Sequence, residues 1–365
     1  MTATSRKMIA ILVLALGLLA TPQAALAGFD WDIEHTGSVN DFFIIEAFHT
    51  VVTNTGAVDD TVMVNMVKDV PGDWVASLCE SELCYPPFLL DIELILAPGA
   101  STELIIDMTP ITNQGKGSTY ITLTSKNNPA DTSAASFSVI TPGLDLLYVE
   151  AVDGAISESY YAAAIAAAGK THATWTAADM GKVPAADLAN FATVIWASGA
   201  IPTGLDATDM TNLTAYVTGG GTLVVSGQNL ASAYCNPASP YYSTTTHAWF
   251  QNSLGTDYVA NIGSTDFVTS LAGDEIFSGA SYNINGGDGS NDNTSPDVIT
   301  ATGNGNTSLS FSGGGTALVR SFEGAGRTVF ASFGIEGIAD DASRTDFLAK
   351  VLAWFQTTVV AVGDD

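Results

Sequence analysis

"GGGTLVVSGQNLASAYC", residues 219–235, decides how the second half of the chain is read. Thr222–Ser226 form a short apolar strand, Ser226-Gly227 a turn, and Gln228-Asn229 the start of a helix. A strand that turns sharply into a helix is where many α/β enzymes expose a reactive Cys or Ser. The glycine run does not cradle a phosphate. Phosphate loops follow a strand and open a helix, whereas this run ends a helix and precedes a strand.

The flanking segments repeat the alternation. "LDLLYVEAV" (144–152) is a continuous apolar strand. "SESYYAAAIAAAG" (157–169) is an Ala-rich helix, with Ser157 or Ser159 as cap and Gly169 as stop. "THATWTA" and "ATVIWASG" (192–199) are strands. "PAADLANF" starts a helix at Pro184, and "DATDMTNLTAYVTGGG" (206–221) is a helix burying Leu213, Tyr216 and Val217. Strands alternating with helices predict right-handed crossovers and a parallel sheet. Residues 236–315, rich in Gly, Asn, Ser and Thr, are expected to hold loops and short antiparallel strands. "TALVRSF-EGAG-RTVFASF" reads as a hairpin (316–322 and 327–333). "ASRTDFLAKVLAWFQ" (342–356) is a closing helix with Phe347, Leu348, Val351, Leu352 and Phe355 inward.

Residues 29–141 have a different period. Val62, Val64 and Met66, then Leu104, Ile106 and Met108, then Ile121 and Leu123, then Phe137 and Val139 alternate with polar residues. Turn signals such as "NTGA", "VPGDW" and "KNNPAD" separate these runs, and together they predict an antiparallel sandwich. Cys79 and Cys84 in "SLCESELCYPP" suit a disulfide across a short loop. Zinc would need about four ligands, and no His lies nearby in sequence. Cys235 is left as a free, partly buried thiol. The expected architecture is two-domain. An all-β immunoglobulin-like sandwich (29–141) is followed by an α/β three-layer sandwich with a mainly parallel sheet (144–356) and a tail (357–365).

Trp74, Cys79, Cys84-Tyr85-Pro86-Pro87, "LAPGAS" and "LTSKNNP" give the first domain its likeness to immunoglobulin-like modules of bacterial secreted proteins. In the second, "YVEAVDG", "VIWASG", "DMTNLTAYVTGGGTLVVSG", "GRTVFASFGIE" and the helix ending at Trp354 resemble the class I glutamine amidotransferase-like superfamily, a flavodoxin-like fold. The resemblance implies a Cys in the turn after residues 222–227, with His and Glu from the later hairpin region. This sequence reads Ser226-Gly227-Gln228 at the turn and Phe333-Gly334-Ile335-Glu336 later, so a carboxylate is present without Cys or His. The four His are His35, His49, His172 and His247, and His247 alone would approach the turn. The resemblance therefore implies a catalytically degenerate domain, a pseudoenzyme.

Three other stretches carry chemistry. Glu150, Asp153, Ser198, Gly199, Gly227, Gln228 and Glu336 gather at strand ends, where ligands of open α/β sheets bind. Asp288, Asn291, Asp292, Asn293 and Asp297 are oxygen donors in a Gly-rich loop and suit a structural calcium ion, or simply make turns. Tyr241, Tyr242, Trp249 and Phe250 would stack on a sugar or peptide, or pack in the core.

Arg6-Lys7, the apolar run Met8–Ala20 and small residues at Ala25 and Ala27 form a secretory signal over residues 1–27; an uncleaved anchor is the alternative. Cleavage would remove two of 11 basic and none of 38 acidic residues, deepening the net charge from −27 to −29. Such a chain is unsuited to nucleic acid or an anionic membrane. The expectation is an exported, non-catalytic binding or surface-assembly protein, with no cofactor beyond structural calcium, and with a protein or glycan of the cell surface as partner. One alternative is a secreted hydrolase of amide, peptide or glycan-conjugate bonds, using Ser226 or Cys235 with His247 and, in the serine version, Glu336. The other is a structural adhesion or surface-layer component.

Overall fold

The computed structural model describes residues 28–151, 157–263 and 265–357. The signal segment, Asp153 and nearly all of the tail lie outside these residues.

The first ten strands are β1 (Phe29–Ile33), β2 (Gly37–Val39), β3 (Glu46–Asn54), β4 (Asp60–Asp69), β5 (Val75–Glu80), β6 (Leu83–Cys84), β7 (Asp91–Leu96), β8 (Ser101–Thr109), β9 (Lys116–Ser125) and β10 (Thr132–Ile140). They form two five-stranded sheets, ordered β1-β3-β8-β5-β6 and β2-β10-β9-β4-β7. Period-2 alternation places Phe48, Leu104, Ile106, Val64, Ile121, Leu123 and Phe137 in one fully buried core. Cys79 and Cys84 face each other across β5 and β6 and form a disulfide.

The remaining elements are β11 (Leu146–Glu150), α1 (Glu158–Ala167), β12 (His172–Thr176), α2 (Ala177–Met180), α3 (Ala185–Leu188), β13 (Thr193–Ala197), α4 (Ala207–Thr218), β14 (Thr222–Ser226), α5 (Leu230–Cys235), α6 (Thr244–Ser253), β15 (Thr256–Asn261), β16 (Phe267–Ser270), β17 (Ser281–Asn283), β18 (Asp297–Ala301), β19 (Asn306–Phe311), β20 (Thr316–Glu323), β21 (Gly326–Ala331) and α7 (Asp341–Phe355). Asp206 starts α4 with a capping box, its carboxylate accepting from Thr208 N and Asp209 N. Strands β11, β13 and β14 are apolar along their middles, with polar residues only at their ends, because hydrophobic cores cover both of their faces.

The sheet built from these strands corrects the expected fold class. It has eleven strands, with a main path β12-β11-β13-β14-β21-β20-β19-β16-β17 and with β15 and β18 attached beside it. Pairings are parallel only among β12, β11, β13, β14 and β21. The other six are antiparallel. With 39% strand and 20% helix the chain is β-rich, and its C-terminal half is not an α/β sandwich on a mainly parallel sheet. The physical reason lies in residues 256–323. Between β19, β20 and β21 the links are short and contain glycine (312–315 and 324–325), and such links permit only antiparallel neighbours. Residues 236–315 also hold α6, where loops and short strands were expected. Its low intrinsic helix propensity is offset by a capping box between Ser243 and Thr246.

Candidate functional site

The parallel strands end together, and Ser226 stands at the last position of β14 with no solvent exposure. Three contacts hold its hydroxyl. Tyr161 Oη donates to Ser226 Oγ at 3.0 Å, Ile335 N donates at 3.0 Å, and Ser226 Oγ donates to the Phe333 carbonyl at 3.0 Å. Tyr161, from α1, also lies 3.0 Å from Glu336 Oε2. A phenol has one proton, so Tyr161 donates to Ser226 Oγ or to Glu336 Oε2 and not to both at once; a protonated Glu336 carboxyl donates to Tyr161 and leaves the phenol proton for Ser226. Burial, with Asp292 adding like charge, pushes the Glu336 carboxyl up to about 7.

The other residues expected at this strand end are placed as follows. Ser198 is fully buried, with its amide on Ser226 O at 2.9 Å and its Oγ unpartnered. Gly199 adopts φ +54°, and a Cβ there would face Glu336 Oε1 at 3.6 Å. Gly227 packs so closely that a Cβ would lie 3.1 Å from Ser198 Cβ. Gln228 is fully buried; its Oε1 accepts from Ser295 N at 2.6 Å and its Nε2 donates to Asp292 O. It is a strut to the following loop. Glu150 connects through Ser157 (3.4 Å) to Tyr148 (2.8 Å), whose ring stacks on Tyr161 at 4.8 Å. Burial, then the charge of Glu158, raises the Glu150 carboxyl above its ordinary range.

The oxygen donors of residues 288–297 hold the chain to itself. Asn293 donates to Ile284 O and Gly334 O, both at 2.9 Å, and accepts from Gly334 N at 2.7 Å. Asn291 accepts from Gly286 N, Asp292 from Ser290 Oγ, and Asp297 Oδ2 from Ser232 N at 2.9 Å. Asp288 anchors through its amide to Ala339 O at 2.7 Å. Of the aromatic residues, Phe250 and Trp249 are buried and pack edge to face at 5.3 Å, while Tyr241 is half exposed.

His247 does not join Ser226. Its Nε2 lies 3.0 Å from Asp257 Oδ1, and it shares a cluster with Asp257 and Cys235, one ligand atom from each lying within 4.8 Å of the others. Cys235 is 3% exposed, and burial pushes its thiol well above the usual range. Sequence reasoning missed Tyr161 and Asp257. Tyr161 sits in an Ala-rich helix that reads as plain packing. Asp257 lies ten residues beyond His247, on a separate strand, where no local spacing marks it.

No family model matches the chain, and no curated protein does. Among solved structures the chain is similar to the N-terminal domain of PorA, at 11% identity and TM-score 0.24, over 32% of this chain and 98% of that one. It is similar to an exo-β-1,4-mannosidase from Opitutaceae bacterium strain TAV5, at 12% identity and TM-score 0.36, over 59% of this chain and 35% of that one. A CARDB domain of the PF1109 protein from Pyrococcus furiosus matches at 15% identity and TM-score 0.20, over 32% of this chain and 94% of that one. The resemblance to the glutamine amidotransferase-like superfamily does not hold. No model of that family matches, and the chain is β-rich with a mixed sheet instead of a flavodoxin-like one.

Proposed function

We propose that this is an exported protein that binds or assembles at the cell surface without turning over a substrate. The observation that carries the reading is the state of Ser226. A nucleophilic serine needs a free hydroxyl beside a base. Ser226 Oγ is fully buried, held by Tyr161, Ile335 and Phe333, and its hydrogen-bond partners include no His. Cys235, the other candidate, is itself 3% exposed. The basic, apolar and small-residue pattern of residues 1–27 supports export. Among the described residues no helix is long and apolar enough to cross a membrane.

The sandwich supplies the surface for an interaction. Phe88 is 83% exposed, Ile95 75% and Phe43 67%, with Ile44, Ile45 and Leu83 also in solvent. Side chains of this kind favour a protein or glycan partner. The test is to treat the purified protein with broad probes for nucleophilic serine and cysteine. Neither Ser226 nor Cys235 is expected to be labelled. Labelling that disappears in Ser226→Ala or Cys235→Ala would establish the hydrolase and end this reading. Size-exclusion chromatography of the same sample reads self-assembly.

A further inference from the structure

Away from the strand-end network, α5, α6 and β15 pack together and converge Cys235, His247 and Asp257, with one ligand atom from each within 4.8 Å of the other two. We propose that these three side chains bind a divalent cation of the zinc class, which ties the two helices to the strand. The donor set selects the ion. A sulfur, an imidazole nitrogen and one carboxylate suit zinc and its neighbours, whereas calcium and magnesium take oxygen donors. Zinc bonds of about 2.0 to 2.3 Å put tetrahedral ligands roughly 3.3 to 3.8 Å apart, a spacing inside the 4.8 Å limit within which the three ligand atoms lie.

The surroundings are arranged as for a ligand set. Asp257 Oδ1 meets His247 Nε2 at 3.0 Å, while Oδ2 accepts from Gln251 Nε2 at 2.9 Å, which orients the carboxylate from behind. The Tyr258 amide donates to Asp257 Oδ1 at 2.8 Å. The Tyr242 ring lies 5.7 Å from the His247 ring. The sulfur is enclosed, while the side chains of His247 and Asp257 are 24% and 25% exposed, so the ion enters from their side and a water completes its shell.

Charge gives an independent reason. Asp297 is fully buried beside this cluster, its Oδ1 has no partner, and its charge acts on Cys235. The described Lys and Arg side chains do not reach it. Lys126, Lys170, Lys182, Arg320, Arg344 and Lys350 have acidic partners elsewhere, Arg327 contacts Trp354 and Thr357, Lys68 donates to Ala76 O and Pro87 O, and Lys116 belongs to β9 of the sandwich. Apart from His247, which pairs with Asp257, no described Lys or Arg balances the carboxylates of Asp257 and Asp297 beside the Cys235 sulfur. Binding displaces the thiol proton to solvent and forms a sulfur–metal bond, with no change of oxidation state.

The test is to strip the full-length chain with a chelator and titrate it with Co²⁺, then Zn²⁺. One Co²⁺ per chain is expected, with a near-ultraviolet thiolate charge-transfer band that Zn²⁺ removes. Cys235→Ser should abolish the band. His247→Gln and Asp257→Asn should each weaken binding by about tenfold or more. Asp292→Asn, in the oxygen-rich loop, should leave it unchanged. Circular dichroism of each variant confirms folding, and His247→Gln, at a partly exposed position, keeps the test usable if Cys235→Ser fails to fold. Absence of the band in the folded wild type, its persistence in Cys235→Ser, or its loss in Asp292→Asn would overturn the proposal.

Discussion

Two polar clusters lie in the C-terminal domain, and they are finished differently. Around Ser226 the hydroxyl, its two donors and its acceptor form a closed set, and the carboxyl at the end of that set is balanced by keeping its proton. Around Cys235 the sulfur, the imidazole and the carboxylates converge with no Lys or Arg among them. The first cluster satisfies the Ser226 hydroxyl on every side, leaves Glu336 Oε1 without a partner, and rigidifies the strand end. The second gains stability only from something added. A buried polar network contributes when every member is satisfied and is a liability otherwise, so the two should respond oppositely to mutation and to ligand.

The largest expected effect is in the complete cluster. Ser226→Ala leaves the Ile335 amide without its acceptor in a dry site and removes one of the two partners of the Tyr161 hydroxyl. It should cost about 3 kcal/mol in chemical denaturation. A cost below about 1 kcal/mol would mean the network is not closed in the way its distances indicate.

Nearly as large is a pH effect. Glu336 keeps its proton in the native state up to about 7, against a reference value of 4.5. Between those values the folded chain binds the extra proton, so stability falls as pH rises from about 4.5 to about 7, by up to about 3 kcal/mol. Glu336→Gln should remove this part of the slope, read as denaturation midpoints across that window. A smaller slope remains from Asp187, which burial pushes up to about 6. Tyr161→Phe should cost less, about 1.5 kcal/mol, since it removes one hydroxyl and leaves the ring stacked on Tyr148.

How far these features were legible follows from their range in sequence. The alternation of Val62, Val64 and Met66 forces one face inward whatever the partner strand, so that core was readable. The runs at 146–150, 193–197 and 222–226 were readable as buried strands for the same reason. Short antiparallel strands and a closing hairpin were expected there too, but their joining to the parallel strands in one mixed sheet was not legible, because β16, β17 and β19 are three to six residues long and β16 pairs with β19 from far along the chain. The likeness to an amidotransferase-like domain was built on the readable parallel part, and it failed on the rest. Ser226 and Glu336 were found as strand-end residues. That they are coupled depends on Tyr161, 65 positions from Ser226 and 175 from Glu336, a separation that only the fold closes. Asn293 was read as an oxygen donor for a cation, yet three backbone groups use its amide.

The smallest expected effect sharpens the contrast most. His247→Gln in chelator-treated protein removes an ion pair whose members are each about a quarter exposed, and such pairs contribute about 0 to 1 kcal/mol. The metal-free variant should therefore melt close to the metal-free wild type. Added Zn²⁺ should then raise the melting temperature of the wild type and leave the variant nearly unmoved, because an ion that binds only the folded chain stabilises it in proportion to its affinity. If His247→Gln instead costs 2 kcal/mol or more without metal, its bond to Asp257 is itself structural, and the two clusters are of one kind after all.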